Sequence, residues 1–212
     1  MFLNTFRRTK GGGLILHFHA ALEKMSAEKS MHALLEIALK EALALTQAEV
    51  GSLFLVDEDK KEFVLKKASG EYLSQFPEIR RTLNEGILGY VANRRVPLLV
   101  EDVRRDSRFQ HGNGFSGYRT TSFISIPILL HEKLLGVLSL TDKKSRRPFS
   151  KKDLEWMTLF AQGLALHIER NHLLSEFKEN HHALEESRNT VTFLQGEKRR
   201  LGAELELSQK ME

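Results

Sequence analysis

The residues best suited to chemistry lie in Val103–Thr120 and in the run that follows it. This stretch mixes arginines, glycines and aromatics without helical or strand periodicity, and so long an irregular stretch in a compact domain is usually functional or mobile. Asp102, Phe109, His111, Tyr118, Arg119, Thr121, Ser122, Phe123 and Ser125 bring hydrogen-bonding groups and aromatic faces close together along the chain. That mixture suits non-covalent recognition of a small molecule, because such pockets pair apolar walls with a few convergent polar groups. Gly86 opens a helical turn whose free amides can face an anionic group. Arg119 has two readings: a ligand contact, or a salt bridge to Asp102 or Asp106 that pins the loop. Phe109 and Tyr118 either touch a ligand or plug an empty cavity. His111 has no second ligating residue at useful spacing, so no metal site is expected.

Reactive chemistry finds little to work with. The chain has 0 cysteines, which excludes disulfides, thiolate zinc sites and thiol nucleophiles. No Ser-His-Asp set in a nucleophile-elbow context, phosphate-binding Walker loop or paired-carboxylate motif is present. The expectation is therefore a non-enzyme with no catalytic residues and no cofactor. The formal net charge of +4 concerns solubility and encounter more than fold. Lys143, Lys144, Arg146, Arg147, Lys151 and Lys152 cluster, but no aromatics interleave with them, so a solvated loop is expected rather than a nucleic-acid surface. No apolar run approaches the roughly 18–20 residues of a membrane span. Met1–Lys10 lacks the layout of a secretory leader, so a cytoplasmic protein is expected.

The elements that must position these residues follow from periodicity. With 212 residues, 41% of them hydrophobic, the chain allows one full domain and an extension. Ile15, Phe18, Leu22 and Met25 recur at helical spacing, and Met31 to Leu45 form a broader stripe that Ser30 can cap. Gly51–Val56 and Glu62–Ala68, separated by a charged spacer, predict a hairpin. Pro77–Leu83 predicts a short helix, Glu85–Ala92 a glycine-opened helical turn, and Pro97–Glu101 a short strand. Thr121–Leu130 and Lys133–Thr141 predict a second hairpin around His131 and Glu132. In its first strand Ile124, Ile126, Ile128 and Leu130 share a core face. Phe123, Ser125 and Pro127 share the other, a mixed face that suits the lining of a cavity.

A helix starts at Ser150, with Asp153 three residues on and Phe149 and Leu154 placed as a hydrophobic staple. Leu154, Met157, Ala161, Leu164, Ala165 and Ile168 form its inner stripe. Beyond it, Leu173, Phe177, Asn180, Leu184, Ser187, Val191, Leu194, Lys198, Leu201 and Leu205 alternate by steps of four and three. That is a heptad seam, and one helix cannot bury it alone. The expected partner is a second copy, paired through the Leu173–Leu205 heptads and the terminal helices. The implied division is 1–29 as an N-terminal segment and helix, 30–172 as the globular domain, and 173–212 as coiled coil.

Over residues 30–172 the sequence resembles a GAF domain, the small-molecule sensing module of bacterial signalling proteins and phosphodiesterases. The resemblance rests on Gly86-Ile87-Leu88-Gly89-Tyr90-Val91-Ala92, Pro97, Val100, Asp102-Val103, Asp106 and Arg108-Phe109. It continues through Tyr118-Arg119-Thr120, Ser125-Ile126-Pro127-Ile128, Gly136-Val137-Leu138, and Phe149-Ser150 leading to Asp153-Leu154-Glu155. It implies an α+β fold: an antiparallel sheet with the terminal helices on one face and a ligand cavity on the other. Cyclic-nucleotide-binding members carry an Asn-Lys-Phe-Asp-Glu signature; this chain has Asp142, Lys143, Phe149, Asp153 and Leu154 at matching spacing. The first and last differ, which favours a structural clasp, with Lys143 pairing Asp153 to tie the last strand to the helix. The bilin attachment and sulfoxide-reductase activity of some members require cysteines and are excluded here, and the haem that others hold through one histidine would fall to His111, which has no paired ligand at useful spacing.

The resemblance thus implies a non-catalytic sensor that binds a small molecule and relays a signal through a dimeric coil. No kinase, cyclase, ATPase or helix-turn-helix pattern follows the coil, so the chain is expected to work through a separate output protein or as one part of a larger system. The alternative is a dimerisation scaffold with a vestigial pocket.

Overall fold

A computed structural model of the chain describes residues 12–69, 79–109 and 119–209. It divides into two units, Met1–Asn171 and His172–Glu212. The elements are α1 (Gly12–Ala27), α2 (Met31–Thr46), β1 (Ala48–Asp57), β2 (Glu62–Ser69), β3 (Arg80–Thr82), α3 (Gly86–Arg94), β4 (Leu98–Val100), β5 (Phe123–Leu130), β6 (Lys133–Lys143) and α4 (Lys151–Gln209). The fold class is α+β, as the sequence implies. No helix among the described residues is long and apolar enough to cross a membrane.

In the first unit six antiparallel strands form one sheet in the order β3-β2-β1-β6-β5-β4. Strand residues alternate between faces, and the alternation separates two apolar clusters. One face carries Leu53, Ile124, Ile126, Ile128, Leu138 and Leu140, all buried against α1, α2 and the first turns of α4. The other carries Phe54, Phe63, Phe123 and Val137, which pack with Val91 and Ala92 of α3 and with Leu98, Val100 and Val103. Pro127 has no N–H to give the ladder, and β4 pairs β5 only from Phe123 to Ser125, short of that position.

Local chemistry explains the helix limits. Ser30 is extended and its side chain accepts from the Ala33 N–H, starting α2. Gln47 adopts the left-handed conformation (φ 58°) that ends it. The helices on the first face are also tied by polar groups. Glu41 of α2 is buried and accepts hydrogen bonds from Lys24 (2.6 Å) and pairs with His17 (2.8 Å), both on α1. Burial pushes its carboxyl up, but those two partners outweigh burial and hold it below the usual carboxylate value. The Arg170 guanidinium donates to the backbone carbonyls of Ser26 and Glu28, capping the end of α1.

One sequence expectation fails. The part of Pro77–Leu83 that is described is no helix: Arg80–Thr82 is strand β3, paired with Glu62–Val64 of β2. Arg80 reaches Asp57 (3.2 Å) and Glu62 (3.4 Å) across the hairpin, so charge pairing and an open sheet edge override local helical preference.

Two glycines of the motif runs are required by close approach. A Cβ on Gly89 would lie 2.3 Å from the Asn84 carbonyl carbon, and one on Gly136 2.2 Å from the Phe54 carbonyl oxygen. Both neighbours are backbone and cannot swing aside. Gly136→Ala should force β6 away from β1 and lower unfolding stability by about 2–4 kcal/mol. Urea denaturation measures this, and a change under about 0.5 kcal/mol, the range of an ordinary surface substitution, would contradict the close approach.

Candidate functional site

On the second face of the sheet, Ser52 of β1, Ser139 of β6 and Ser125 of β5 stand opposite one another in one row. Ser125 is fully buried and its Oγ lies 2.8 Å from Ser139 Oγ. Beside this polar row runs an aromatic one. Phe109 meets Phe123 edge-on at 5.9 Å between centroids and Tyr90 of α3 at 5.7 Å. Arg94 and Arg108 flank the Tyr90 ring at 4.9 and 5.5 Å, a cation–π arrangement. Arg108 is held in place by Asp106.

The rim is built by turns. Asp102 follows β4 and accepts from the Arg104 N–H (3.1 Å) and from its guanidinium (2.8 and 3.0 Å). Those bonds to Arg104, against a smaller effect of burial and with help from the Thr121 hydroxyl, hold the Asp102 carboxyl well below the usual range. The Val103 N–H donates to the Thr121 carbonyl at 2.9 Å, so Asp102 and Thr121 are brought together. Gly86 begins α3 with φ 63°, and no side chain caps the amides that follow. Arg119 joins neither acid of its expected pair, because Asp102 and Asp106 are taken by Arg104 and Arg108; it pairs with Glu49 of β1 instead. His111 and Tyr118 lie outside the described residues.

Ser122 points inward. Its buried hydroxyl donates to the Val100 carbonyl and accepts from the Phe149 N–H, both at 2.9 Å. It therefore joins β4, the start of β5 and the approach to α4. A second clasp lies alongside: Asp142 Oδ1 accepts from the Thr120 N–H (2.7 Å) and hydroxyl (3.1 Å). Asp142 is buried with φ 57°, a conformation that Asp and Asn tolerate better than most residues. A third clasp is the Lys143–Asp153 pair at 2.7 Å, with Ser150 N–H and hydroxyl also donating to Asp153. Sequence reasoning foresaw the third clasp but missed Thr120, Glu49 and Ser139, whose roles need cross-strand register.

An open groove of about 660 Å³ lies elsewhere, lined by Leu39, Lys40 and Leu43 of α2, by Lys67 and Ala68 of β2, and by Lys144 among others. None of the eight described candidate residues lines it. Among the described residues no group of three His, Cys, Asp or Glu is placed to hold a metal ion.

The profile of the GAF domain family matches residues 28–169. The chain belongs to the GAF family. GAF domains are typically small-molecule sensing and regulatory modules. The GAF domain of a Coxiella burnetii phosphoenolpyruvate-protein phosphotransferase superposes with TM-score 0.69 at 20% identity, covering 79% of this chain and 99% of that one. The free methionine-R-sulfoxide reductase of Neisseria meningitidis superposes with TM-score 0.63 at 18% identity, covering 76% and 93%. A probable 3',5'-cyclic phosphodiesterase of Caenorhabditis elegans is 30% identical over 155 residues, 65% of this chain. This chain spans only 20% of that relative's length.

The clasp at the start of the GAF domain's last helix has a pH signature. Burial pushes the Asp153 carboxyl up, but hydrogen bonds from Lys143 and Ser150 outweigh it and hold it below its ordinary 3.8. A carboxyl lowered in the folded state adds stability above its unfolded pKa and loses that contribution as pH falls through the folded value. Asp153→Asn should cost about 3 kcal/mol at pH 7, since it leaves Lys143 largely buried without its counter-charge. It should also flatten the fall in stability below about pH 4. Parallel acid-denaturation curves for the two proteins would contradict the assignment.

Proposed function

We propose that this GAF domain is a non-catalytic sensory module that binds a small molecule on the second face of its sheet and relays the event through a dimeric coiled coil. The observation that carries the reading is the set of clasps at Thr120–Asp142, Ser122–Phe149 and Lys143–Asp153. They connect the rim of that face to the first turn of α4, so a ligand that moves the rim has a stiff polar path to the helix. A ligand acts this way only through unequal affinity for two helix arrangements. Asp102, Thr121, Phe109, Phe123 and Ser125 are the proposed contacts, with Gly86 presenting uncapped amides. A separate output protein would read the coil.

Phe109 favours a second reading. It already meets Phe123 and Tyr90 edge-on, filling part of the second face. On that reading the pocket is vestigial and the protein is a dimerisation scaffold.

Calorimetric titration with cyclic nucleotides, amino acids and 2-oxoacids separates the two. The sensor reading expects one class to bind, and Phe109→Ala to change its affinity by about tenfold, or about 1.4 kcal/mol. The scaffold reading expects no heat with any class and dimerisation indifferent to all of them. Ser122→Ala removes the donor to Val100 and the acceptor of Phe149, and should cost about 1–3 kcal/mol of stability. It should leave ligand affinity within about twofold (about 0.4 kcal/mol) while abolishing ligand-dependent distance changes between spin labels at Ser187. Unchanged distance responses in that variant would reject the clasp as the relay.

A further inference from the structure

The groove between α2 and the end of β2 has no part in the roles described above. Glu36, Leu39, Lys40, Leu43, Ala44 and Gln47 recur by steps of three and four, so one face of α2 forms a wall of it. The other wall is β2. Lys67 pairs there with Leu53, a residue of the helix-facing core, so its side chain turns towards α2. The turn after β6 borders the end at Gln47, where the Lys144 N–H donates to the Gln47 carbonyl at 2.8 Å. A volume of about 660 Å³ lies within the range of roughly 300–1,000 Å³ usual for small-molecule sites.

Its lysines are not equivalent. Lys67 is held by Glu36 at 3.0 Å and also meets His32 at 2.9 Å. Lys40 and Lys144 are exposed and form no ion pair among the described residues; Glu36, one turn before Lys40, is already taken by Lys67. The same groove offers apolar surface: Leu43 and Ala68 are half-buried, Ala44 is exposed, and Leu39 is buried. We propose that it binds a small amphipathic anion, an aliphatic carboxylate, at a site separate from the second face of the sheet. An exposed lysine holds an isolated carboxylate only weakly, so the tail must cover Leu43, Ala44 and Ala68 for the complex to last. The negative end of the α2 dipole falls at Gln47, and Lys144 stands beside it as the compensating cation. Lys40, in the body of the helix, is left as the main contact for the head. Carboxylate suits it better than phosphate, because the described lining has no arginine to grip a phosphate in two places. The site adjoins the clasp at the start of α4, since Lys144 follows Lys143, the partner of Asp153. The proposal does not rest on the sensor reading of the second face.

Octanoate is the probe, titrated calorimetrically into the full chain below its micelle-forming range, with acetate and 1-octanol as head-only and tail-only controls. Octanoate should bind one site with a Kd below about 1 mM, and each control at least about tenfold more weakly. Lys40→Gln should weaken octanoate about threefold or more, as loss of an exposed ion pair does. It should also remove most of the salt dependence of binding, whereas Lys40→Arg keeps both affinity and salt dependence. Ala44→Phe, at an exposed helical position, fills the groove and should weaken octanoate at least about tenfold while circular dichroism shows the chain still folded. No heat with octanoate up to about 10 mM, or unchanged affinity in either Lys40→Gln or Ala44→Phe, would overturn the proposal. Equal affinity for octanoate and 1-octanol would overturn it as well, because the lysine would then contribute nothing. Ligands of the second face should bind Ala44→Phe as they bind the parent chain, so failure of this proposal is distinguishable from failure of the sensor reading.

Discussion

The pairing of β6 with β1 is the constraint on which the GAF unit depends. Gly136 passes so near the Phe54 carbonyl that only a hydrogen fits, and the register this imposes carries through β6 to β5. Once it is set, every second residue of three central strands is committed to one face. Aliphatic side chains go to the helices, and serines and aromatics go to the opposite side. A slip by one residue would reverse both assignments, turning Ser125 and Ser139 towards α1 and α4 and turning Ile124 and Ile126 towards the face that now carries Phe123 and Val137.

The same register explains why the rim of the second face is coupled to the last helix. β5 begins at Phe123 and β6 ends at Lys143, so their ends lie side by side, with Ser122 and Thr120 next to Asp142 and the approach to α4. Each clasp uses groups that would be costly to leave unpaired when buried. The geometry is therefore over-determined where Val100, Ser122 and Phe149 meet. The rim itself is held by exposed pairs such as Asp102–Arg104, which are screened by solvent and individually weak. The helix start is therefore held more firmly than the rim.

The sequence was informative where one residue type has one plausible use. The alternation in Phe123–Leu130, the helix-start chemistry of Ser150 and Asp153, and the pairing of Lys143 with Asp153 all follow from short-range pattern. The site was only partly legible. Asp102 and Thr121 do come together, and Phe109 meets Phe123. Arg119 turned to Glu49, which lies 70 positions away in the chain and which no local rule connects to it. Arg80–Thr82 failed for the related reason that a strand of three residues is made by its neighbour rather than by its own propensity.

The amino-acid order by itself determined the class of fold, the two-faced sheet, the lack of thiol chemistry and the presence of a heptad seam, because periodicity and composition act locally or additively. Only the tertiary structure decided which polar groups became partners. Ser122 bridging Val100 and Phe149, Asp142 holding Thr120, and the serine row across β1, β6 and β5 depend on strand register. Register places residues dozens of positions apart within hydrogen-bonding distance, and nothing in their local sequence records it.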